Sequence, residues 1–228
     1  MAWVWRQTWH DLLFLHWPIS AALLRPHVPA ELAIDEYEGR AWVAVTPFWM
    51  SGVTLRWLPS IPGVSTFPEL NVRTYVRFLD RPGVWFLSLD AASRLAVAVA
   101  RALFHLPYVY ARMKVEREGD GIRYRSQRPD GPAFLARYRP SGPAQSSARG
   151  TLEYFLTERY CLYAKPPGGV IHRAEIDHPP WPLQPAVAEI ERNDMPAANG
   201  IAVEGHPLAH YAERLNVVIG PLRTVRGS

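Results

Sequence analysis

Residues 67–76 read Phe-Pro-Glu-Leu-Asn-Val-Arg-Thr-Tyr-Val. A β-strand sends successive side chains to opposite faces, so this order puts Glu69, Asn71, Arg73 and Tyr75 on one face and Leu70, Val72, Thr74 and Val76 on the other. An arginine grips a carboxylate through two parallel hydrogen bonds, and a glutamate withdrawn from water can take or give a proton near neutrality. Residues 108–115 repeat the alternation, with Tyr108, Tyr110, Arg112 and Lys114 on one side and Val109, Ala111, Met113 and Val115 on the other. Two such strands side by side would line an internal pocket suited to a small organic acid or carbonyl compound. Glu69 is then the candidate catalytic group, with Asn71, Arg73, Tyr75, Tyr108, Tyr110 and Arg112 binding the ligand. Two plainer readings stand beside this one on pattern alone. The polar face is a solvated outer wall of a non-catalytic binding or interaction module, or Arg73 and Glu69 form a structural ion pair.

Other reactive arrangements are weaker. His206 and His210 stand four apart with Glu213 beyond, but Pro207 and the strand-forming residues that follow argue against a helical zinc motif. His10 and His16 sit near Trp9 and Trp17, where a histidine usually fills a core margin. His172 and His178 share strand parity, yet His178-Pro179-Pro180-Trp181-Pro182 reads as a rigid corner. Cys161 between Tyr160 and Leu162 reads as buried and inert. There is no Gly-x-Ser-x-Gly elbow and no glycine-rich phosphate loop, so neither a cofactor nor a metal is expected. Arg123, Arg125, Arg128, Arg137 and Arg139 with Tyr124 and Tyr138 form the best nucleic-acid pattern. Because Glu116, Glu118 and Asp120 lie close by, an arginine-coated outer face is the expected outcome.

The elements that must position these groups follow from the punctuation of the chain. Twenty-two prolines and repeated Gly, Asp and Pro turn signals cut it into short pieces, which favours many strands over long helices. Strands are predicted at residues 41–50 and 84–89, both apolar on two faces and so covered on both. A helix is predicted over 91–104, with Asp90 as its cap and Leu95, Val99 and Leu103 at helical spacing. Short helices follow at 21–24, capped by Ser20, and at 152–158. Strands at 108–116, 122–127 and 133–138 read as a meander turned at Gly119-Asp120-Gly121 and Pro129-Asp130-Gly131. Residues 139–150 read as a surface loop, and further strands fall at 159–164, 170–177, 186–191 and 211–219. Closing so many strands into a barrel would remove exposed edges.

Composition sets the outer limits. With 48% apolar residues, 9 Trp and 10 Tyr in 228 residues, there is ample material for one core, and a single domain over 1–228 is expected. One cysteine forbids an intrachain disulfide and fits a reducing, cytoplasmic setting. The apolar stretch from Met1 to Trp17 lacks a basic leader and carries His10 and Asp11, so it reads as mature protein. Residues 95–104 are broken by Arg101 and too short for a bilayer of about 30 Å. A net charge of +4 is a weak nucleic-acid signal. The expected partner is a small molecule, without nucleic acid or membrane, and self-association into a homo-oligomer is left open.

Several phrases carry a family resemblance: Leu23-Leu24-Arg25-Pro26-His27-Val28-Pro29, Gly39-Arg40-Ala41-Trp42-Val43, residues 67–76 and 85–92, Leu106-Pro107-Tyr108, Leu156-Thr157-Glu158-Arg159-Tyr160 and His178-Pro179-Pro180-Trp181-Pro182-Leu183. Spread over nearly the whole chain, they resemble the YqjF-like group of bacterial proteins, which is in turn similar to the acetoacetate decarboxylase-like superfamily. The resemblance implies an α+β, mainly β fold: a closed, bent antiparallel β-barrel with a packed helix and a ligand cavity inside, Glu69 being a pocket carboxylate. Decarboxylases of that kind form a Schiff base through a lysine that follows a proline, and here the residue after Pro107 is Tyr108. Lys114 lies six residues on, about 20 Å along an extended strand, and Lys165 opens a Pro-Pro-Gly-Gly turn. The resemblance thus implies the pocket without imine-forming decarboxylation.

Overall fold

A computed structural model describes residues 3–56 and 65–226, so Met1 and Ala2 of the amino-terminal stretch lie outside the described residues. The strands are β1 (Trp5–Ile19), β2 (Ala33–Ile34), β3 (Ala41–Leu55), β4 (Phe67–Phe78), β5 (Arg81–Ala91), β6 (Tyr108–Tyr110), β7 (Arg112–Glu118), β8 (Gly121–Gln127), β9 (Ala133–Pro140), β10 (Cys161–Ala164), β11 (His172–Asp177), β12 (Gln184–Asn193), β13 (Leu208–Ile219) and β14 (Arg223–Thr224). Three α-helices join them: α1 (Ala21–Leu24), α2 (Arg94–Phe104) and α3 (Leu152–Thr157). No helix among the described residues is long and apolar enough to cross a membrane.

The strands pair in the order β14-β11-β10-β5-β4-β3-β1-β13-β12-β9-β8-β7, and β11 pairs a second time, with β13, through Ile176 opposite Ile219 and Asp177 opposite Val218. The alternation of β1, β3 and β4 explains why most of their apolar residues fall in two cores, Val76 joining a third with Cys161 and Tyr163. Leu12, Phe14, Ala44, Phe48 and Tyr75 face one core, while Leu13, Leu15, Val43, Val45, Leu70 and Val72 face a second. That second core is completed by Ile122, Tyr124, Phe134, Ala136 and Tyr138 of β8 and β9. The β7–β8–β9 meander therefore folds over the outer face of the long strands. β12 carries the chain between layers, because Gln184 and Pro185 pair with β13 whereas residues from Ala186 to Asn193 pair with β9.

Asp11 fastens the layers. It sits at φ 50° in β1, at an irregularity in the β1–β3 register. Its carboxylate accepts from Trp49 Nε1 at 2.9 Å and the Tyr211 hydroxyl at 2.6 Å and meets Arg117 at 3.0 Å, while its carbonyl accepts the Tyr138 hydroxyl at 2.7 Å. A left-handed aspartate is tolerated where its short side chain finds local partners, and here one residue ties β3, β7, β9 and β13 to β1.

Three sequence expectations need correction. The sheet is mixed rather than antiparallel, because β5 pairs in parallel with both β6 and β10. Close approach of β10 depends on Gly83, where a Cβ would meet Cys161 Sγ at 2.6 Å. The main helix begins at Arg94 and is capped by Ser93, whose Oγ accepts from Ala96 N at 3.2 Å. Asp90 and Ala91 instead remain in β5, since Asp90 is drawn inward to Arg128 at 2.7 Å. The predicted strand over 108–116 breaks at Ala111: Tyr108–Tyr110 pairs with β5 and Arg112–Glu118 with β8. β1, which sequence periodicity did not single out, is apolar on both faces over residues 12–15 and hides its alternation there. Ser93→Ala should cost about 1 kcal/mol in urea unfolding through loss of the cap. An unchanged midpoint would show that α2 needs no cap.

Candidate functional site

Glu69, Asn71 and Arg73 of β4 line an internal cavity of about 40 Å³. The facing walls come from Thr46 and Phe48 of β3, Trp9 and Leu12 of β1, and Val84 and Phe86 of β5. Thr157 at the end of α3, then Arg159, His178 and Trp181, close the other side. Pairing fixes this geometry: Thr46 lies opposite Asn71 and Phe48 opposite Glu69. The polar face of β4 is not a solvated wall, because Glu69 is 4% and Arg73 8% exposed.

Burial dominates the electrostatics. It pushes the Glu69 carboxyl up to about 8, against hydrogen bonds from Tyr108 and Asn71 that favour the carboxylate, and Asp90 adds to the upward push. Glu69 is therefore mostly protonated at neutral pH. The Tyr108 hydroxyl donates to Glu69 Oε2 at 2.8 Å, and burial followed by the nearby carboxyl pushes that phenol well above its ordinary value. Tyr75, on the same face as Glu69, shares a 2.7 Å hydrogen bond with His16 Nε2. Burial first, then the Arg73 charge, hold His16 well below its usual value, so it is neutral.

Arg73 is the unusual group. Among the described residues three arginines are buried. Arg128 is matched to Asp90 at 2.7 Å and Arg159 to Asp35 at 2.6 Å, but no carboxylate pairs with Arg73 among the described residues. The expected alternative of an Arg73–Glu69 ion pair does not form. The guanidinium lies 5.3 Å from the Phe14 ring centre and 5.8 Å from that of Tyr75, and its Nε has no hydrogen-bond partner among the described residues. The indole N–H groups of Trp9 and Trp181 are likewise buried and unpartnered. Asn71 Oδ1 and Thr46 Oγ1 in the same lining are also buried without partners among the described residues. Because unmatched buried polar groups are costly, walls with more free donors than acceptors suit an acceptor-bearing group.

Of the seven residues singled out in the sequence, Glu69, Asn71 and Arg73 meet at the cavity, with Tyr108 bonded to Glu69 and Tyr75 buried behind Arg73. Tyr110 and Arg112 do not join them. Tyr110, though in β6 with Tyr108, lies under the Arg94 guanidinium at 3.9 Å in an outer groove, and the break at Ala111 separates Arg112, which is exposed opposite Gln127. Arg159, His178 and Trp181 were not predicted as site residues, because nothing local in residues 157–181 marks which side chains the sheet will enclose. His206 and His210 share no helix, His210 lying on β13. The arginines of β8 and β9 are interleaved with acid: Arg123 and Arg137 each meet Glu118 and Glu191, and Arg139 meets Asp120.

The mainly β mixed sheet has an acetoacetate decarboxylase-like fold. The chain superposes on acetoacetate decarboxylase from Legionella pneumophila with TM-score 0.70 at 13% identity, covering 99% of this chain and 88% of that one. The enduracididine biosynthesis enzyme MppR complexed with pyruvate gives 0.71 at 10% identity, covering 98% and 91%. An acetoacetate decarboxylase-like enzyme from Sphingomonas wittichii RW1 gives 0.69 at 14%, covering 100% and 95%. At such identities the likeness is one of fold. Sequence is more specific: the chain belongs to the DUF2071 family of uncharacterized conserved proteins, whose pattern matches residues 6–216. It is 47% identical over 224 residues to the uncharacterized protein YqjF of Bacillus subtilis (strain 168), covering 97% of this chain and 92% of that protein.

Proposed function

We propose that this protein binds a small organic acid or carbonyl compound in the β4 cavity and moves a proton at Glu69 without forming an imine. The observation that carries the reading is Arg73, a buried cation with no carboxylate of its own beside a carboxyl held in its acid form. A ligand carboxylate would supply the missing counter-charge through charge-assisted hydrogen bonds, and the Trp9 and Trp181 N–H groups offer further donors. The β11–β13 pairing returns the hydrogen-bonded path β11-β10-β5-β4-β3-β1-β13 to its start, and we read it as a closed, bent barrel around the ligand. The protein is read as cytoplasmic because its one thiol, Cys161, is buried and unpaired.

Protonated Glu69 can donate toward a carbonyl oxygen or enolate carbon, leaving a carboxylate that Tyr108 and Asn71 hydrogen-bond. A lysine nucleophile does not fit this site. Lys114 and Lys165 are bound to Glu116 and Glu31 away from the cavity, and Tyr108 reaches Glu69 instead. At about 40 Å³ the cavity holds a fragment of a few heavy atoms, since one water needs roughly 10–15 Å³. That limit favours acids of formate, acetate or pyruvate size. The similar enzyme complexed with pyruvate supports the same class.

A melting-temperature screen with formate, acetate, pyruvate and acetoacetate tests the binding. Ligand at 100 times its Kd should add about 2.7 kcal/mol, and Arg73→Ala should abolish the gain. Because Arg73 leaves no carboxylate unpaired, the variant is expected to fold. No stabilisation by any of these acids, or equal stabilisation of Arg73→Ala, defeats the proposal. The proton-transfer half is read from deuterium entry into the pyruvate methyl group in heavy water. Wild type should accelerate it and Glu69→Gln should not, and equal rates in both would remove Glu69 from the chemistry.

A further inference from the structure

A crevice of about 390 Å³ lies apart from the β4 cavity, between residues 143–153, the start of β12 and the face of β13 that carries His210. Its size is that of small-molecule sites, about 300–1,000 Å³. Part of its polar wall is already engaged. Gln184 Nε2 donates to the Gly142 carbonyl at 2.8 Å, and Thr151 Oγ1 donates to the Ala148 carbonyl at 2.9 Å while accepting from Tyr154 N at 3.3 Å.

Three lining groups are unengaged. His210 is 8% exposed, and its Nδ1 is sealed from water with no hydrogen-bond partner among the described residues. Ser147 Oγ is in the same condition. Glu153, close enough to His210 to act on its charge, has no ion pair and no side-chain hydrogen bond among the described residues. It contributes the one formal negative charge of this wall, since burial keeps His210 below its usual value and therefore neutral at pH 7. Pro143, Leu183 and Pro185 provide apolar surface beside these groups.

We propose that this crevice is a second binding site, separate from the β4 cavity, for a small organic monocation bearing an amine or guanidine group. Glu153 accepts the cationic N–H donors, and the prolines cover the alkyl portion. The charge of the expected ligand is opposite to that proposed for the β4 cavity, so the two sites can be told apart by probe chemistry.

The test is a titration of the full chain, labelled with ¹⁵N at histidine, with methylguanidinium and ethylammonium chlorides and with sodium acetate as the anionic control. The His210 ring resonances should shift saturably with at least one cation and not with acetate. Glu153→Gln should weaken that binding at least tenfold, whereas Arg73→Ala and Glu69→Gln should leave it unchanged. Glu153→Asp, which keeps the charge but withdraws it by one methylene, should bind between wild type and Glu153→Gln. No saturable shift with either cation, an equal shift with acetate, or Glu153→Gln binding within twofold of wild type overturns the site. Loss of cation binding in Glu69→Gln overturns its separateness.

Discussion

Arg128→Met should destabilise the protein by about 3–5 kcal/mol, the usual cost of leaving one member of a buried ion pair without its partner. Asp90 is fully buried, and both its oxygens lie within 3.1 Å of Arg128 Nε. Arg128 also donates to the Ser88 hydroxyl at 2.8 Å, and Ser88 in turn accepts from Asn199 Nδ2 at 2.9 Å. This network pins β5 to the turn after β8, so the loss should be global and should move the urea midpoint without changing the slope. Burial already pushes the Asp90 carboxyl up against the pull of Arg128. Without the arginine it will take a proton more readily, and the deficit should be smaller at pH 5 than at pH 8. Asp90→Leu combined with Arg128→Met should recover most of the stability, because a buried pair replaced by apolar groups leaves no charge stranded. A single-variant loss under 1 kcal/mol, or a double variant no better than the single, would show that the pair is dispensable.

The second large effect is on the pH dependence of stability, and its sign is fixed by the direction of the Glu69 shift. The carboxyl stands near 8 in the folded protein against 4.5 in an unfolded chain. Between those values the folded state keeps a proton that the unfolded state has lost, so stability falls as pH rises, by about 1.4 kcal/mol per pH unit. Glu69→Gln has nothing to titrate and retains a carbonyl oxygen for the Tyr108 hydroxyl. Its stability should match wild type near pH 5 and exceed it by a few kcal/mol at pH 9. Urea midpoints measured from pH 5 to pH 9 decide this, and parallel curves for the two proteins would show that Glu69 is not held in its acid form. The same proton bears on ligand binding. Above pH 8 an ionised Glu69 should repel an anionic ligand from wild type but not from Glu69→Gln.

The structure narrows the chemistry open to this family member. Other buried arginines are consumed by the fold, Arg128 by Asp90 and Arg159 by Asp35, whereas among the described residues no carboxylate pairs with Arg73, which lies against the Phe14 and Tyr75 rings. Burying a cation without a matching anion opposes folding. The surrounding sheet, with Leu70, Val72 and Val76 buried on the outer side of β4 and the Thr74 hydroxyl there bonded to the Trp42 carbonyl, supplies the stability that tolerates it.

What the sequence determined by itself is whatever depends on near neighbours. The alternation of residues 69–76 assigned faces correctly because a strand has period two wherever it lies, and Ser20 capped α1 because a serine before a short apolar run can fold its hydroxyl back on the first turn. Tertiary structure decided everything that depends on distant pairing. The parity of Tyr108 was extended to Tyr110 and Arg112, but competition between two partner strands, β5 on one side of Ala111 and β8 on the other, ended the strand before Arg112, while Tyr110 was taken up by Arg94 of α2. Asp90 has the local features of a helix cap, yet an arginine 38 positions later held it in the sheet. Arg159, His178 and Trp181 reach the cavity only because α3 and β11 are laid across it, and no pattern within those segments encodes where they come to rest. Local periodicity says which way a side chain leaves its own strand, whereas the identity of its neighbours is set by contacts among residues far apart in the chain.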